Sequence, residues 1–486
     1  VILTAMDWWK PAPGTLMEWH PSAEAMSRAH AAPVDPGPLT FLQENHIRVC
    51  HATAAGGAEH KAYLGTASEI EGDLHASALS RALRTYVLRH EGLRTWFRTD
   101  GVQVSRMLVE PDAVEFEART AGEFVDDAEF SRYIHTRLGA EAIATRWPGF
   151  AFGAVSRPGS FTLYYACDHA LSDGVSQALV LDEIAELYNS EVHGTAPPGY
   201  VTAPTGSFRD YARVESDTAG GLTLRSPDVA EWVDIFAAHG AAMPTFPLDM
   251  GLAPGETAPV RPIEFTLLDA AGTERFEREC KASGASMIGG IYAAVAITEF
   301  ELARHADYFG IAVLGTRLFR DFALSQGWFC NFAPVAFEVV GSRSFTDLVS
   351  RAQDGHTRAK RLAAVPLPVV IGALLQSGAD PAEVAATPNL LSYIDFRKFP
   401  GNGHPAFDRG VIFTGEGRTS NASMWFNRDH DRLYLGLQTP DTPKAQLEVK
   451  RYLQHLGEVI DTVSREGDYS VSGTHVEELA LARHHD

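Results

Sequence analysis

The sequence predicts an α/β protein made of two similar halves. Two observations predict it. Short runs with period-two alternation are followed repeatedly by stretches with a 3.6-residue apolar repeat. That alternation breaks down in two turn-rich segments, 191–204 and 242–262, and resumes after them. No short-period repeat is visible, so the halves are expected to share a plan, not a sequence. We place the division between residues 1–215 and 216–486.

In chain order, residues 1–37 are dense in Pro, Trp and His without a period and read as an irregular surface arm. A strand follows at 62–70, then a helix at 76–90. Leu79, Leu83, Tyr86 and Val87 place one apolar face on that helix, and Gly92 is expected as its left-handed C-cap. Strands are predicted at 93–97, 102–108 and 113–118, and a helix at 128–138. The strongest strand is 161–167, where Phe161, Leu163 and Tyr165 alternate with Thr162, Tyr164 and Ala166. Gly174 closes a short loop, and Leu181, Ile184 and Tyr188 mark a helix running to about Asn189. Helices at 208–215 and 227–239 lie between the turn-rich zones. The second half then reads as strand 263–268, helices 273–283 and 288–304, strands 308–314 and 333–340, and helix 344–362. Strands 390–396 and 433–439 bracket a loop before a last helix, 443–463.

Composition sets limits on function. With 486 residues, 45% hydrophobic and 21% charged, the chain can bury a core without disulfides or metals. A net charge of −21 opposes binding to nucleic acid. Cys50, Cys167, Cys280 and Cys330 form no C-x-x-C pair, which argues against a zinc ribbon or a thioredoxin-type site. Isolated cysteines read as buried thiols in a reducing compartment, so a cytoplasmic location is expected. The first ten residues do not read as a signal peptide, and no apolar run approaches the ~18 residues of a membrane helix.

The chemistry concentrates at 164–174, Tyr-Tyr-Ala-Cys-Asp-His-Ala-Leu-Ser-Asp-Gly, which contains H-x-x-x-D-G. Chance supplies such a match about 0.1 times in a chain of this length, so context must decide. The context is a firm strand before, a firm helix after, and a histidine just past the strand end, where rigid scaffolds present reactive groups. His169 can take a proton from a nucleophile near neutral pH. On residues alone it can equally be a satisfied loop histidine, Asp173 a helix N-cap and Gly174 turn punctuation.

This stretch resembles the H-H-x-x-x-D-G core of the condensation-domain and chloramphenicol-acetyltransferase-like acyltransferases. Asp168 stands where that core has its first histidine. Arg-His-Glu-Gly-Leu-Arg-Thr-Trp-Phe at 89–97 resembles a second family element, although His90 itself reads as structural. Phe208-Arg209-Asp210-Tyr211-Ala212 resembles a third. Gly315-Thr316-Arg317 with Gly327-Trp328-Phe329-Cys330-Asn331 resembles a fourth. Within the superfamily, 13–20, 41–48, 284–292 and 423–428 are most similar to the mycobacterial polyketide-associated (Pap) acyltransferases, in their trehalose-acylating branch.

The resemblance implies two chloramphenicol-acetyltransferase-like subdomains, each a mixed β-sheet with flanking helices, packed as a V-shaped pseudo-dimer around a tunnel. It implies an O-acyltransferase in which His169 is the general base and Asp173 completes the motif. Arg317 is expected to pair with Asp173 and join the halves, with Gly174 supporting the turn. Donors near Gly174 or Asn331 would stabilise the oxyanion. Trp328, Ser392, Ser423 and Trp425 are the further substrate-binding candidates. No resident cofactor or metal is expected. The donor would be an acyl thioester, either acyl-CoA or a phosphopantetheinyl carrier protein of a polyketide synthase. The acceptor would be trehalose or another polyol, and the enzyme a monomer. An amide-forming condensation enzyme and a non-catalytic recruitment module are the alternatives; retention of His169 and Asp173 favours an enzyme.

Rival motifs are weak. G-x-S-x-G, H-E-x-x-H and the P-loop are all missing from the sequence. Gly401-Asn402-Gly403-His404-Pro405-Ala406 mimics a dinucleotide loop, but Pro405 stands where the helix should open. His484-His485 reads as a solvated tail. Arg351, Arg358, Lys360 and Arg361 form the densest basic run, either a solvated helix face or a dock for an acidic carrier or for coenzyme A phosphates.

Overall fold

The computed structural model describes residues 2–6, 9–57, 61–317, 320–415 and 417–472. His484 and His485 lie outside them. The chain divides into two compact units. The first comprises Val1–Asp217 with two later segments, Arg317–Cys330 and Lys398–Gly417; the second comprises Thr218–Thr316, Asn331–Arg397 and Arg418–Asp486. The first stretch of the first unit ends at Asp217, close to the expected division at 215, but a single cut does not describe these two returns. The returns have physical causes. Val411–Thr414 hydrogen-bonds as a strand to Tyr63–Glu71, and Arg317 answers a buried carboxylate, as described below.

The first unit is built on a seven-stranded mixed sheet. Its order is Ile2–Ala5, Val411–Thr414, Tyr63–Glu71, Ser160–Asp168, Phe150–Arg157, Gly14–Pro21 and Phe116–Phe124. The strand Ser160–Asp168 is central, paired antiparallel on both sides. Its residues 161–168 are all buried, because Leu163 and Tyr165 face one core and Tyr164 and Ala166 another. A small three-stranded sheet of Val34–Asp35, Val104–Leu108 and Thr95–Thr99 accompanies it.

Residues 1–37 are not an irregular arm. Gly14–Pro21 is a sheet strand, and Ser22 caps the helix Ala23–His30 through its hydroxyl. Buried Trp19 anchors the strand, its indole N–H donating to Ser80 Oγ at 3.0 Å. The helix Ala76–Arg89 buries Leu79, Leu83, Tyr86 and Val87, as the periodicity predicts. It closes at His90 in extended backbone, however, and Gly92 lies inside a 3-10 turn, Glu91–Arg94, not at a left-handed cap.

The second unit carries its own seven-stranded sheet, in the order Cys330–Glu338, Asp307–Gly315, Leu390–Asp395, Ser423–Arg428, Arg432–Pro440, Ala258–Asp269 and Arg418–Thr419. The helices Met287–Ala303, Phe345–Leu362 and Pro443–Glu466 bury apolar residues in its core. The stretch expected as a loop between 396 and 433 contains the strands Val411–Thr414 and Ser423–Arg428, each in a different unit. The four cysteines form no disulfide with one another; Cys167 and Cys280 are buried, Cys50 and Cys330 half-buried. Among the described residues no single helix is long and apolar enough to cross a membrane.

Candidate active site

The motif sits where the central strand of the first unit ends. Asp168 is the last strand residue, and His169 opens a 3-10 turn, His169–Leu171, that Asp168 caps by accepting from the Ala170 N–H at 2.8 Å. The His169 N–H donates to the Ala62 carbonyl at 3.0 Å, which fixes the turn to the neighbouring strand end. Two residues after that turn, Asp173 caps the helix Gly174–His193, accepting from the Ser176 N–H at 2.7 Å. That helix is buried around most of its circumference. Gly174 is its first residue and is not among the left-handed glycines, so the entry turn needs no special backbone there.

Asp173 is occupied on every side. Arg317 donates to its Oδ2 at 2.7 Å and its Oδ1 at 2.9 Å, and the Phe329 N–H reaches Oδ2 at 2.9 Å. Burial favours the protonated acid, but Arg317, followed by the Ser176 and Phe329 N–H groups, outweighs it and holds the carboxyl below its ordinary value. The same guanidinium donates to Ser176 Oγ at 2.7 Å and lies 4.6 Å over the Phe329 ring. Ser176 Oγ in turn donates to the Gly327 carbonyl at 2.9 Å. The expected Asp173–Arg317 pair therefore exists, but it does not join two halves. Both residues belong to the first unit, and the pair secures the returning segment Arg317–Cys330 within it.

That segment carries Trp328 to the histidine. The Trp328 and His169 ring centroids are 4.0 Å apart, with the planes tilted by 36°. Gly327 makes the approach feasible: its φ is +155°, and a Cβ there would stand 2.2 Å from the Phe208 ring. His169 keeps partial exposure while its Nδ1 is buried without a well-formed hydrogen bond, which leaves Nε2 as the nitrogen a substrate can meet. Burial, then the positive charge of His46, pulls its pKa down to about 4; its own backbone carbonyl, Asp168 and Asp173 offset only part of this. The ring is therefore neutral, and able to accept a proton, across the physiological range.

His46 was not visible as a site residue in the sequence. It lies on the helix Phe41–Ala55, and its Nε2 donates to Asp168 Oδ1 at 2.7 Å. Its ring centroid is 6.1 Å from that of His169 and 5.7 Å, edge-on, from that of Trp328.

The condensation-domain family matches residues 38–383. A Mycobacterium tuberculosis relative, the 2'-acyl-2-O-sulfo-trehalose (hydroxy)phthioceranyltransferase PapA1, is 30% identical over 472 residues, which span 96% of this chain and 89% of the relative. This chain belongs to the condensation-domain family, as a Pap acyltransferase. The trehalose-2-sulfate acyltransferase PapA2 of Mycobacterium bovis is 28% identical over 93% of the chain and 95% of its own length. The solved PapA2 acyl transferase shares the fold, with a TM-score of 0.85 at 24% identity over 96% of this chain and all of that one. The first condensation domain of the calcium-dependent antibiotic synthetase superposes more loosely, with a TM-score of 0.69 at 19% identity over 90% of this chain and 98% of that one.

The other candidates of this Pap acyltransferase fall in the second unit. Asn331 donates to the Ala363 and Val365 carbonyls at 2.9 and 2.8 Å and accepts from the Phe332 N–H, so its amide is committed to backbone. Ser423 Oγ accepts from the Leu390 N–H at 3.2 Å. Ser392 and Trp425 are register neighbours on the parallel strands Leu390–Asp395 and Ser423–Arg428, both half-buried. His90 is structural, buried and bonded to Glu183 at 2.8 Å.

Proposed function

We propose that this acyltransferase moves an acyl group from a thioester to a hydroxyl of trehalose or a closely related sugar, with His169 as general base. The observation that carries the reading is the state of His169: a neutral ring, partly exposed, with Nδ1 buried and a tryptophan against its face. Nε2 takes the hydroxyl proton as the oxygen attacks the thioester carbonyl. A tetrahedral oxyanion forms, the C–S bond breaks, and the imidazolium returns its proton to the departing thiolate. An ester and a free thiol remain. Asp173 takes no part in the proton transfer, because its oxygens are committed to Arg317 and two backbone N–H groups. The relatives' names support the acceptor class, since PapA1 and PapA2 are named for acyl transfer to sulfated trehaloses. The donor is acyl-CoA or a phosphopantetheinyl carrier thioester.

The test is product analysis by mass spectrometry. Purified protein is offered several acyl-CoA and carrier thioesters with trehalose, trehalose sulfate, other polyols and amines. Acylated sugar is expected, and His169→Ala should lower its rate of formation about 10²–10⁴-fold. Amide products alone would overturn the sugar-ester assignment, and undiminished activity in His169→Ala would overturn the base.

A further inference from the structure

The position that holds the first histidine of the family's motif holds an acid here, and that acid is not idle. Asp168 is 1% exposed. Oδ1 accepts from His46 Nε2 at 2.7 Å and from the Ala170 N–H at 2.8 Å, and Oδ2 accepts from the Ala144 N–H at 2.8 Å. A buried carboxylate hydrogen-bonded to an imidazole favours the protonated ring. The helix Phe41–Ala55 delivers that ring rigidly, because Gln43, one turn earlier, donates through its side chain to the Ala170 carbonyl at 2.8 Å. The helix is thus fastened to the catalytic turn at two points.

Resting on the reading of His169 as base, we propose that His46 is a positioning residue for it: ion-paired to Asp168 and edge-on to Trp328, it holds a fixed positive charge beside the His169 ring. Among the described residues, the groups facing His46 are Asp168 at the strand end, Cys50 one turn further along its own helix at 3.4 Å, and the rings of His169 and Trp328. Those facing His169 are His46, Asp168 and Asp173, the last already neutralised by Arg317. Burial alone would discharge His46, but Asp168 and then Cys50 outweigh it and lift the ring to about 10. His46 is therefore charged, and His169 neutral, between about pH 4 and about pH 10. Its charge opposes a second proton on its neighbour until substrate supplies one in the transition state. It also leaves the Asp168 carboxylate compensated, so that this acid does not capture the His169 ring as an ion pair.

The experiment is a ring-¹³C histidine NMR titration of the full chain, assigned with His46→Gln and His169→Gln, beside the pH profile of kcat/KM. In His46→Gln the Asp168 carboxylate loses this imidazolium. The His169 midpoint should rise by one unit or more, a tenfold gain in proton affinity, and the acid limb of kcat/KM should rise with it. Adding Asp168→Asn should bring both part of the way back. Lost activity with an unmoved His169 midpoint would overturn the proposal, leaving His46 a purely structural residue. A moved midpoint with an unmoved acid limb would support the charge placement and refute His169 as the base. Should His46→Gln not fold, Asp168→Asn alone decides: the His46 midpoint should drop by two units or more, and an unchanged midpoint overturns the pairing.

Discussion

Asp168 and Asp173 stand one residue before and four residues after His169, both buried, yet they are held by different kinds of cation. Asp173 faces a guanidinium, which does not titrate in any accessible range. Asp168 faces an imidazole, which does. The two carboxylates also tie different pieces of chain to the same turn. Asp173 secures the returning segment that bears Trp328, and Asp168 secures the helix Phe41–Ala55 and the backbone at Ala144. The difference teaches what each acid is for. A permanent pair suits an anchor, whereas the imidazole pair sets its charge directly beside a proton-transferring ring.

Breaking the anchor should produce the largest effect. Asp173→Ala strips a buried guanidinium and the Phe329 N–H of their acceptor and removes a helix cap. We expect a loss of about 3–5 kcal/mol in unfolding stability, read by denaturant titration. Because the damage is largely the orphaned charge, the double variant Asp173→Ala with Arg317→Met should recover part of it. If Asp173→Ala is as stable as wild type yet inactive, Asp173 acts in the chemistry and the contrast with Asp168 collapses.

A smaller effect separates the two pairs by pH. The folded-state pKa of His46 is raised, so its contribution is complete below its unfolded value near 6.5 and fades as pH rises through about 10. Asp173 behaves oppositely. Its folded pKa is lowered, so its contribution is present above the ordinary carboxylate range and is lost only as pH falls through the depressed value. The stability advantage of wild type over His46→Gln with Asp168→Asn should therefore shrink between pH 7 and pH 10.5. Its advantage over Asp173→Asn should hold steady across that interval. Thermal melts of the three proteins check this, and two curves with the same slope would erase the distinction.

The anchor was legible in the sequence and the His46–Asp168 pair was not. Asp173, Gly174 and the strand before them follow from local pattern, because alternation and N-capping are short-range effects. Arg317 followed from family likeness, but its membership of the first unit did not, since only folding shows which neighbours a returning loop keeps. His46 and Asp168 are 122 residues apart, and neither lies in a pattern that demands the other. Among the elements that local pattern did not reveal, two were hidden for different reasons. The strand Gly14–Pro21 is masked by its Pro-, Trp- and His-rich surroundings, and the helix Leu367–Gln376, Leu-Pro-Val-Val-Ile-Gly-Ala-Leu-Leu-Gln, has no polar face to reveal a period.

The basic run on the helix Phe345–Leu362 supplies the weak end of the scale. Its charge looked available for an acidic partner, but within the second unit Arg361 pairs with both Asp228 and Glu231, and Arg358 lies 3.6 Å from Glu231. Arg351 is turned toward the Glu338 and Val340 carbonyls. Exposed pairs of this kind contribute little, because water already solvates both charges and salt screens what remains. Arg361→Ala should therefore cost about 1 kcal/mol or less, against several for Asp173→Ala, and should leave the donor KM unchanged. A rise in donor KM with stability intact would mean that these arginines exchange their acidic neighbours for the donor's phosphates, and a surface pair would then matter to function as much as a buried one.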